Sequence, residues 1–459
     1  MENTGDKKGL SRRDFMKAAG ITAAGVMANS LVGNSVLAAS KAKTKVTAKP
    51  TILAHPRAIG ANDRIRYAHI GVGGMGGGHV RYIKDMCGEQ NLEQIAVCDV
   101  WTKRRDWAKD TTGCSAAQAY TDYRKLLENK DIDVVVIATP DHWHAPIAIA
   151  AMQAGKHVYV EKPMTHTLEE AFQMHKVAKE TGCIVQVGSQ GCTDTKWHVA
   201  GKAVQDGKIG TALWAQGGYC RNNPHGEWNY DIDAEMTPET CDWKMWLGDA
   251  PKRAFSPERF FRWRKYWDYG TGIIGDLWPH RLHPLMIALN MGPDPAKVQF
   301  PHRVVCLGAN ILDTDKNLAD PSKPWGEKRD VADTTQMIAE FPNGAQIYLA
   351  GATTNERGVE DMIRGNKATL YFGGGKVQVE PQRPYADEIE AEELAVVGPG
   401  ESQPEHHKNM QKCIREGGFP NCNIDLALRV QTIVSMAEMS YRHSTMALFD
   451  TKKQKLIQG

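Results

Sequence analysis

The sequence predicts an α/β protein in two parts: a doubly wound domain on a parallel sheet, then an α+β domain with an open, mostly antiparallel sheet. Three observations predict it. From residue 65 to residue 187, short apolar strands alternate with helical patterns at crossover spacing. A glycine-rich turn, Gly71-Val72-Gly73-Gly74-Met75-Gly76, follows the first strand and opens a helix. After Gly188 the pattern changes to residues alternating in polarity, as in 211–219 and 335–341.

The chain has 459 residues, of which 42% are hydrophobic, enough for two sizeable cores. Its opening segment reads as an address and not as structure. Residues 11–17 (SRRDFMK) place Arg12-Arg13 before an Ala/Gly-rich stretch that ends in small residues, so residues 1–39 are expected to be a twin-arginine signal peptide. Removing that segment takes Lys+Arg from 56 to 51 and Asp+Glu from 54 to 51, which leaves the remainder formally neutral. A neutral chain argues against a nucleic-acid partner, which needs clustered surplus cations. Beyond the signal no apolar run reaches the ~20 residues of a membrane span. Export by the twin-arginine route implies a periplasmic or otherwise extracytoplasmic location. Residues 40–63, rich in Lys, Thr, Ala and Pro, read as an extended arm, with order expected from Ile65.

Residues 64–187 form the first predicted domain. Residues 66–72 are its first strand, residues 77–87 a helix, and residues 94–99 a second strand that ends in Asp99. Residues 133–140 (DVVVIATP) have the unbroken apolar run of a strand buried on both faces. The strands at 157–160 and 183–187 complete the set. Glycines alone would mean only a tight turn; here a strand precedes them, a helix follows, and an acidic residue closes the next strand. The turn therefore reads as a Rossmann dinucleotide site. Gly71, Gly73, Gly74, Met75 and Gly76 carry it, with the helix N-terminus facing the pyrophosphate. Asp99 would accept from a ribose 2′-OH and repel a 2′-phosphate, favouring NAD over NADP, although Lys103, Arg104 and Arg105 follow closely and weaken that preference.

Thr139-Pro140-Asp141-His142-Trp143-His144 closes the fourth strand, and residues 155–163 (GKHVYVEKP) close the fifth. On these strings, and on residues 272–280 (GIIGDLWPH), the sequence resembles the Gfo/Idh/MocA oxidoreductases, the glucose–fructose oxidoreductase and inositol dehydrogenase superfamily, over about residues 64–450. The resemblance implies an NAD(H)-dependent enzyme for a sugar, polyol or glycoside, exported folded with its cofactor bound, and a homo-oligomer. It assigns catalysis to Lys162, Asp276 and His280. Thr139, His144, Glu161, Lys162 and Gln190 complete the cofactor candidates. The chemistry fits: oxidising a hydroxyl needs a base for its proton and a cation for the oxygen that becomes a carbonyl. Asp276 and His280, four apart, would share one helix face, with Asp276 orienting His280 or the substrate. The same residues could serve an NAD-dependent glycosidase that works by transient oxidation and elimination. The glycosidase branch departs from the E-K-P string that this chain keeps as Glu161-Lys162-Pro163.

Residues 188–459 are the expected substrate and oligomerisation domain. Eight of the twelve tryptophans lie between Trp197 and Trp278. Most of them suit a core, while Arg264 and Trp267, close before the Asp276 motif, are placed against substrate together with Lys162, His166, Asp276 and His280. No metal is expected, because His142 and His144 alternate across a strand end and face apart. Among ten cysteines there is no C-x-x-C spacing; Cys413 and Cys422, across the Gly417-Gly418 turn, are the one candidate disulfide. The helix at 426–441 is expected to pack back on the first domain.

Overall fold

The computed structural model describes residues 56–312 and 326–459. The expected signal and residues 40–55 of the arm lie outside them. The first sheet holds six parallel strands: β1 (Ile65–Ile70), β2 (Leu92–Cys98), β3 (Ala119–Tyr120), β4 (Val134–Ile137), β5 (His157–Val160) and β6 (Val185–Val187). Their order is β3-β2-β1-β4-β5-β6, the two-halved arrangement that opens a crevice at the C-terminal edge, between β1 and β4. Val134, Val135 and Ile137 are wholly buried, each adding about 1.5–3 kcal/mol of apolar burial.

The crossover helices follow from local signals. α1 (Gly74–Met86) leaves the glycine turn, and α2 (Thr102–Thr112) stops where Gly113 turns left-handed at φ 77°. α3 (His144–Gln153) and α4 (Leu168–Thr181) cover β5 and its neighbours. α4 starts on a capping box, in which Glu170 N–H donates to Thr167 Oγ1 at 3.3 Å and Thr167 N–H donates to Glu170 Oε2 at 3.0 Å.

Order begins before Ile65, which corrects the expected boundary of the arm. Arg57 donates to both Asp133 oxygens, at 2.9 and 3.0 Å, and Ile59 is buried in the sheet's core. Asp133 precedes β4, so this part of the arm grips the sheet edge opposite the glycine turn.

The second sheet has ten strands: β7 (Ala212–Cys220), β8 (Arg303–Ala309), β9 (Thr334–Glu340), β10 (Gln346–Ala352), β11 (Met362–Gly365), β12 (Ala368–Gly373), β13 (Lys376–Pro381), β14 (Glu392–Ala395), β15 (Ala447–Asp450) and β16 (Lys455–Gln458). They run in the order β14-β13-β12-β11-β7-β10-β9-β8-β15-β16, antiparallel except where β7 pairs β10. β9 alternates between buried Thr335, Met337 and Ala339 and outward Gln336 and Ile338, so one face is core and the other is open. On the inner face lie α5 (Thr195–Gln205), α6 (Gly272–Asp276) and α7 (Pro279–Ala288).

Two C-terminal helices join the sheets. α8 (Gln403–Glu416) packs on α1, and α9 (Ile424–His443), capped by Asn423, packs on α4 and β6 as well as on β8. Cys413 and Cys422 are both free and buried, so the expected disulfide does not form; the Cys422 thiol instead meets that of Cys192. Among the described residues no helix is long and apolar enough to cross a membrane.

Candidate active site

A cavity of about 580 Å³ lies along the C-terminal edge of the parallel sheet, lined by Gly71, Gly73, Gly74, Met75, Asp99, Thr139, Glu161, Lys162 and Gln190, and on the far side by Arg264, Asp276 and His280. Its cofactor wall is made mostly of main chain. Gly71 has φ +78°, and a Cβ there would lie 2.9 Å from the Ala138 carbonyl oxygen. A Cβ on Gly76 would come within 1.9 Å of the Gly71 oxygen, so Gly76 serves helix–strand packing and does not itself line the cavity. Gly73 caps α1 with no side-chain hydrogen bond, which leaves the first amides of the helix for an anion. A pyrophosphate fits this cradle.

Asp99 is 6% exposed and already holds the turn: its oxygens accept from Val72 N–H and Trp101 N–H, each at 2.9 Å. Two of the three nearby cations are engaged elsewhere, Lys103 with Asp233 and Glu235 and Arg105 with Asp106. Arg104 stays in the cavity lining, packed on Trp101 and Phe260 beside Gly73.

Glu161 is fixed from behind. Its Oε1 lies 2.9 Å from His79 Nε2, and its Oε2 accepts from Lys162 N–H at 3.2 Å. His79 Nδ1 in turn lies 2.9 Å from His407 Nε2 on α8. Burial pushes the Glu161 carboxyl up, but His79 and the Lys162 charge, with His144, together outweigh it and the group sits below its ordinary range. The sequence reading did not include His79 or His407. His79 had a signal, one helical turn past Gly76 on the buried side of α1; nothing local marked His407. Gln190 donates to Glu401 at 2.9 Å and accepts from Gln403 at 3.2 Å. His144 spans two strand ends, with its ring nitrogens 2.7 Å from the Pro163 oxygen and 2.9 Å from the Thr139 oxygen. Burial pushes its pKa down to about 4, so the ring is neutral and donates to one of these two carbonyl oxygens at a time. It ties the two strand ends together and also lines the cavity, where a cofactor contact was expected of it.

The opposite wall is built of charge. Lys162 Nζ donates at 2.8 Å both to Asp276 Oδ1 and to the Asp276 main-chain oxygen. Arg264 Nε donates to the same Oδ1 at 2.8 Å, and the buried Trp228 indole donates to Oδ2 at 3.2 Å. Burial raises the Asp276 carboxyl, and the Arg264 and Lys162 charges more than reverse this, holding it well below the usual carboxylate range. His280 stacks on Tyr219 with ring centres 5.0 Å apart, and its Nδ1 is buried without a partner among the described residues. Burial first, then the Lys162 charge, pushes His280 well below its ordinary pKa, so it is a neutral imidazole.

Four sequence expectations fail here. Asp276 and His280 do not share a helix face: α6 ends at Asp276, and Pro279, which has no N–H to continue it, opens α7. Asp276 therefore binds Lys162, Arg264 and Trp228 and does not orient His280, although both line the cavity. Trp267 is turned away, its indole donating to the Asp330 oxygen at 2.7 Å beside Tyr441. His166 lies outside the cavity lining. His142 and His144 stand on a 3₁₀ turn and the start of α3 instead of a strand end, and His142 Nε2 meets the Trp246 oxygen at 3.0 Å. Among the described residues no group of three His, Cys, Asp or Glu is arranged to hold a metal.

A family profile described as an oxidoreductase family with an NAD-binding Rossmann fold matches residues 65–189, and its C-terminal alpha/beta companion matches 202–459. The chain belongs to the Gfo/Idh/MocA oxidoreductase family. The family's Rossmann domain is NAD-binding, and the glycine cradle is where that cofactor fits. A glycosyl hydrolase family 109 protein of Shewanella pealeana is 31% identical over 61% of this chain and 56% of its own length. The chain thus spans little more than half of that relative. Levoglucosan dehydrogenase of Pseudarthrobacter phenanthrenivorans is 26% identical over 65% of this chain and 75% of its own. The solved structure of a levoglucosan dehydrogenase with NADH and levoglucosan superposes with a TM-score of 0.62 at 19% identity, covering 86% of this chain and 99% of that one, and carries the likeness in fold.

Proposed function

We propose that this chain is an NAD(H)-dependent oxidoreductase acting on a hydroxyl of a sugar, polyol or glycoside, with its cofactor retained and recycled in the cavity. One observation carries the reading: Lys162, two residues past β5 and next to Glu161, is held by Asp276 at 2.8 Å. Bound NAD would supply the hydride acceptor. Lys162 spends two ammonium protons on Asp276 and keeps a third for a substrate oxygen, whose negative charge it would stabilise as the carbonyl forms. Neutral His280, which lines the cavity, would accept the hydroxyl proton. Arg264 and Trp228 keep Asp276 ionised and fixed, so that Lys162 points one way. The sugar class is supported by the relatives' names, levoglucosan dehydrogenase and the glycosyl hydrolases.

The glycosyl hydrolase names support a second reading, an NAD-dependent glycosidase that oxidises transiently and then eliminates the aglycone. Purified protein incubated with a panel of glycosides and no added NAD separates the two by mass spectrometry. Oxidised sugar and reduced cofactor support the first, released aglycone with the cofactor oxidised supports the second, and no product from any glycoside refutes both. Nucleotide released on heat denaturation measures cofactor retention.

We further propose that residues 1–39 direct the folded enzyme out of the cytoplasm by the twin-arginine route, on the strength of Arg12-Arg13 and the stretch behind them. We also propose that the open face of the ten-stranded sheet, where Trp214, Val305, Leu307 and Ile338 stand exposed, is covered by a second copy of the chain. A monomer by light scattering would refute the latter.

A further inference from the structure

One carboxyl in the cavity is left unused. Asp141 follows β4 at the site's floor, is 2% exposed and lines the cavity together with Lys162, Arg264 and Asp276. Its main-chain oxygen accepts from His144 N–H, but among the described residues its carboxyl has neither a hydrogen bond nor an ion pair. Its neighbours in sequence are all fastened. Trp143 Nε1 donates to the Trp246 oxygen at 2.7 Å, His142 Nε2 lies 3.0 Å from that same oxygen, and His144 is held by Thr139 and Pro163. The turn is therefore rigid on both sides of a single unpaired group. Gly270 stands opposite, where a Cβ would lie 3.0 Å from Asp141 Oδ2, so the missing side chain leaves room for the carboxyl. Its oxygens open on the cavity, where a ligand oxygen could supply the partner that the protein does not.

We propose that Asp141 is a specificity-determining residue that donates a hydrogen bond from a neutral carboxyl to an acceptor oxygen of the bound sugar. The proposal rests on the sugar-oxidoreductase reading above. The charges around Asp141 fit a donor. Burial raises its carboxyl well above the usual range, the Asp276 carboxylate raises it further, and Arg264 and Lys162, both committed to Asp276, offset this only in part; Glu161 also raises it. The site then holds two carboxyls of opposite state, an ionised Asp276 that orients the cations and a neutral Asp141 that can give a proton to a hydrogen bond. An ionised acid would repel the lone pairs of a hydroxyl or ether oxygen; a neutral one recognises them.

The test uses the NAD-loaded full chain and has one readout that needs no substrate. Infrared difference spectra at pH 7 of wild type against Asp141→Asn should show the C=O stretch of a protonated carboxylic acid in the wild type only; no difference in that band overturns the proposal. For turnover, the best sugar of the panel is followed by NADH absorbance across pH. Asp141→Ala should lose about tenfold or more in kcat/KM while the bound nucleotide stays stoichiometric. Asp141→Asn, which keeps shape and a donor, should recover most of that loss. It should also lack the fall in kcat/KM that the wild type shows as the acid ionises at higher pH. An Asp141→Ala variant with wild-type kcat/KM, or an Asp141→Asn variant no better than it, overturns the proposal. A wild type that reduces its cofactor with no sugar at all would sink the functional reading instead, and the infrared band would still decide the state of Asp141.

Discussion

The two walls of the cavity are built on opposite principles. The cofactor wall is main chain and imidazole: a glycine turn, strand ends tied by His144, and His79 and His407 in series behind Glu161. The facing wall is side chain and charge, with Lys162, Arg264 and Trp228 converging on one carboxylate from positions up to 114 residues apart. Backbone shape suits a ligand that is always the same, whereas converging side chains can be exchanged singly to suit another substrate. The first wall should therefore fail through sterics and acid, and the second through lost catalysis.

The largest contrast is expected from Lys162→Ala. Turnover should fall by about 100-fold or more while bound nucleotide is retained, measured by single-turnover NADH absorbance and by nucleotide released on heating. Near wild-type turnover would remove Lys162 from the chemistry.

Acid should act mainly on the cofactor wall and the sheet behind it. Burial pushes His69 down to about 3, His142 to about 3 and His144 to about 4. In the unfolded chain these rings bind protons below about pH 6.5 while the native ones stay neutral, so stability is full above that value and drains as pH falls toward 3. His69, buried on β1 with both ring nitrogens unpartnered among the described residues, accounts for about 2 kcal/mol of this at pH 5. His69→Leu should show a smaller drop in Tm between pH 7 and pH 5 than the wild type, and an equal drop would refute that assignment.

Gly76→Ala tests the backbone wall alone. Its new Cβ would meet the Gly71 oxygen at 1.9 Å, so nucleotide affinity should fall about tenfold or more, read by calorimetric titration of nucleotide-free protein. Affinity equal to wild type would show that the turn relaxes without consequence.

The smallest effect is a coupling. Lys162 and Asp276 share a hydrogen bond, so the losses of their alanine variants should fail to add by about 1 kcal/mol or more. Asp276 and His280 share none, and their losses should add within about 0.5 kcal/mol. Strong coupling of the second pair would restore the helix-face arrangement that Pro279 breaks.

What could be read in the sequence divides along the same line. The parallel sheet was legible because VVVI at 134–137 and the Gly71–Gly76 turn are local patterns, and Lys162 because it closely follows a strand. Trp267 and His166 were misplaced, since the direction of a side chain in an irregular segment depends on partners such as Asp330 far along the chain. The Asp276–His280 error was avoidable: the proline between them was in plain view. Nothing in the sequence marks Asp141 within its motif, because being unpaired is a property of its surroundings and not of its neighbours in sequence.

The contact between His79 and His407 bears on the order in which the molecule can be made. Glu161 is steadied by an imidazole that itself leans on a residue of α8, almost at the end of the chain. A ribosome that has delivered all six strands of the parallel sheet has therefore still not delivered the rear support of its nucleotide cleft, and more than two hundred residues separate β6 from His407. The support behind Glu161 is thus complete only once α8 has been made and packs on α1. A chain cut short before α8 would carry the glycine fingerprint intact and still lack the finished pocket.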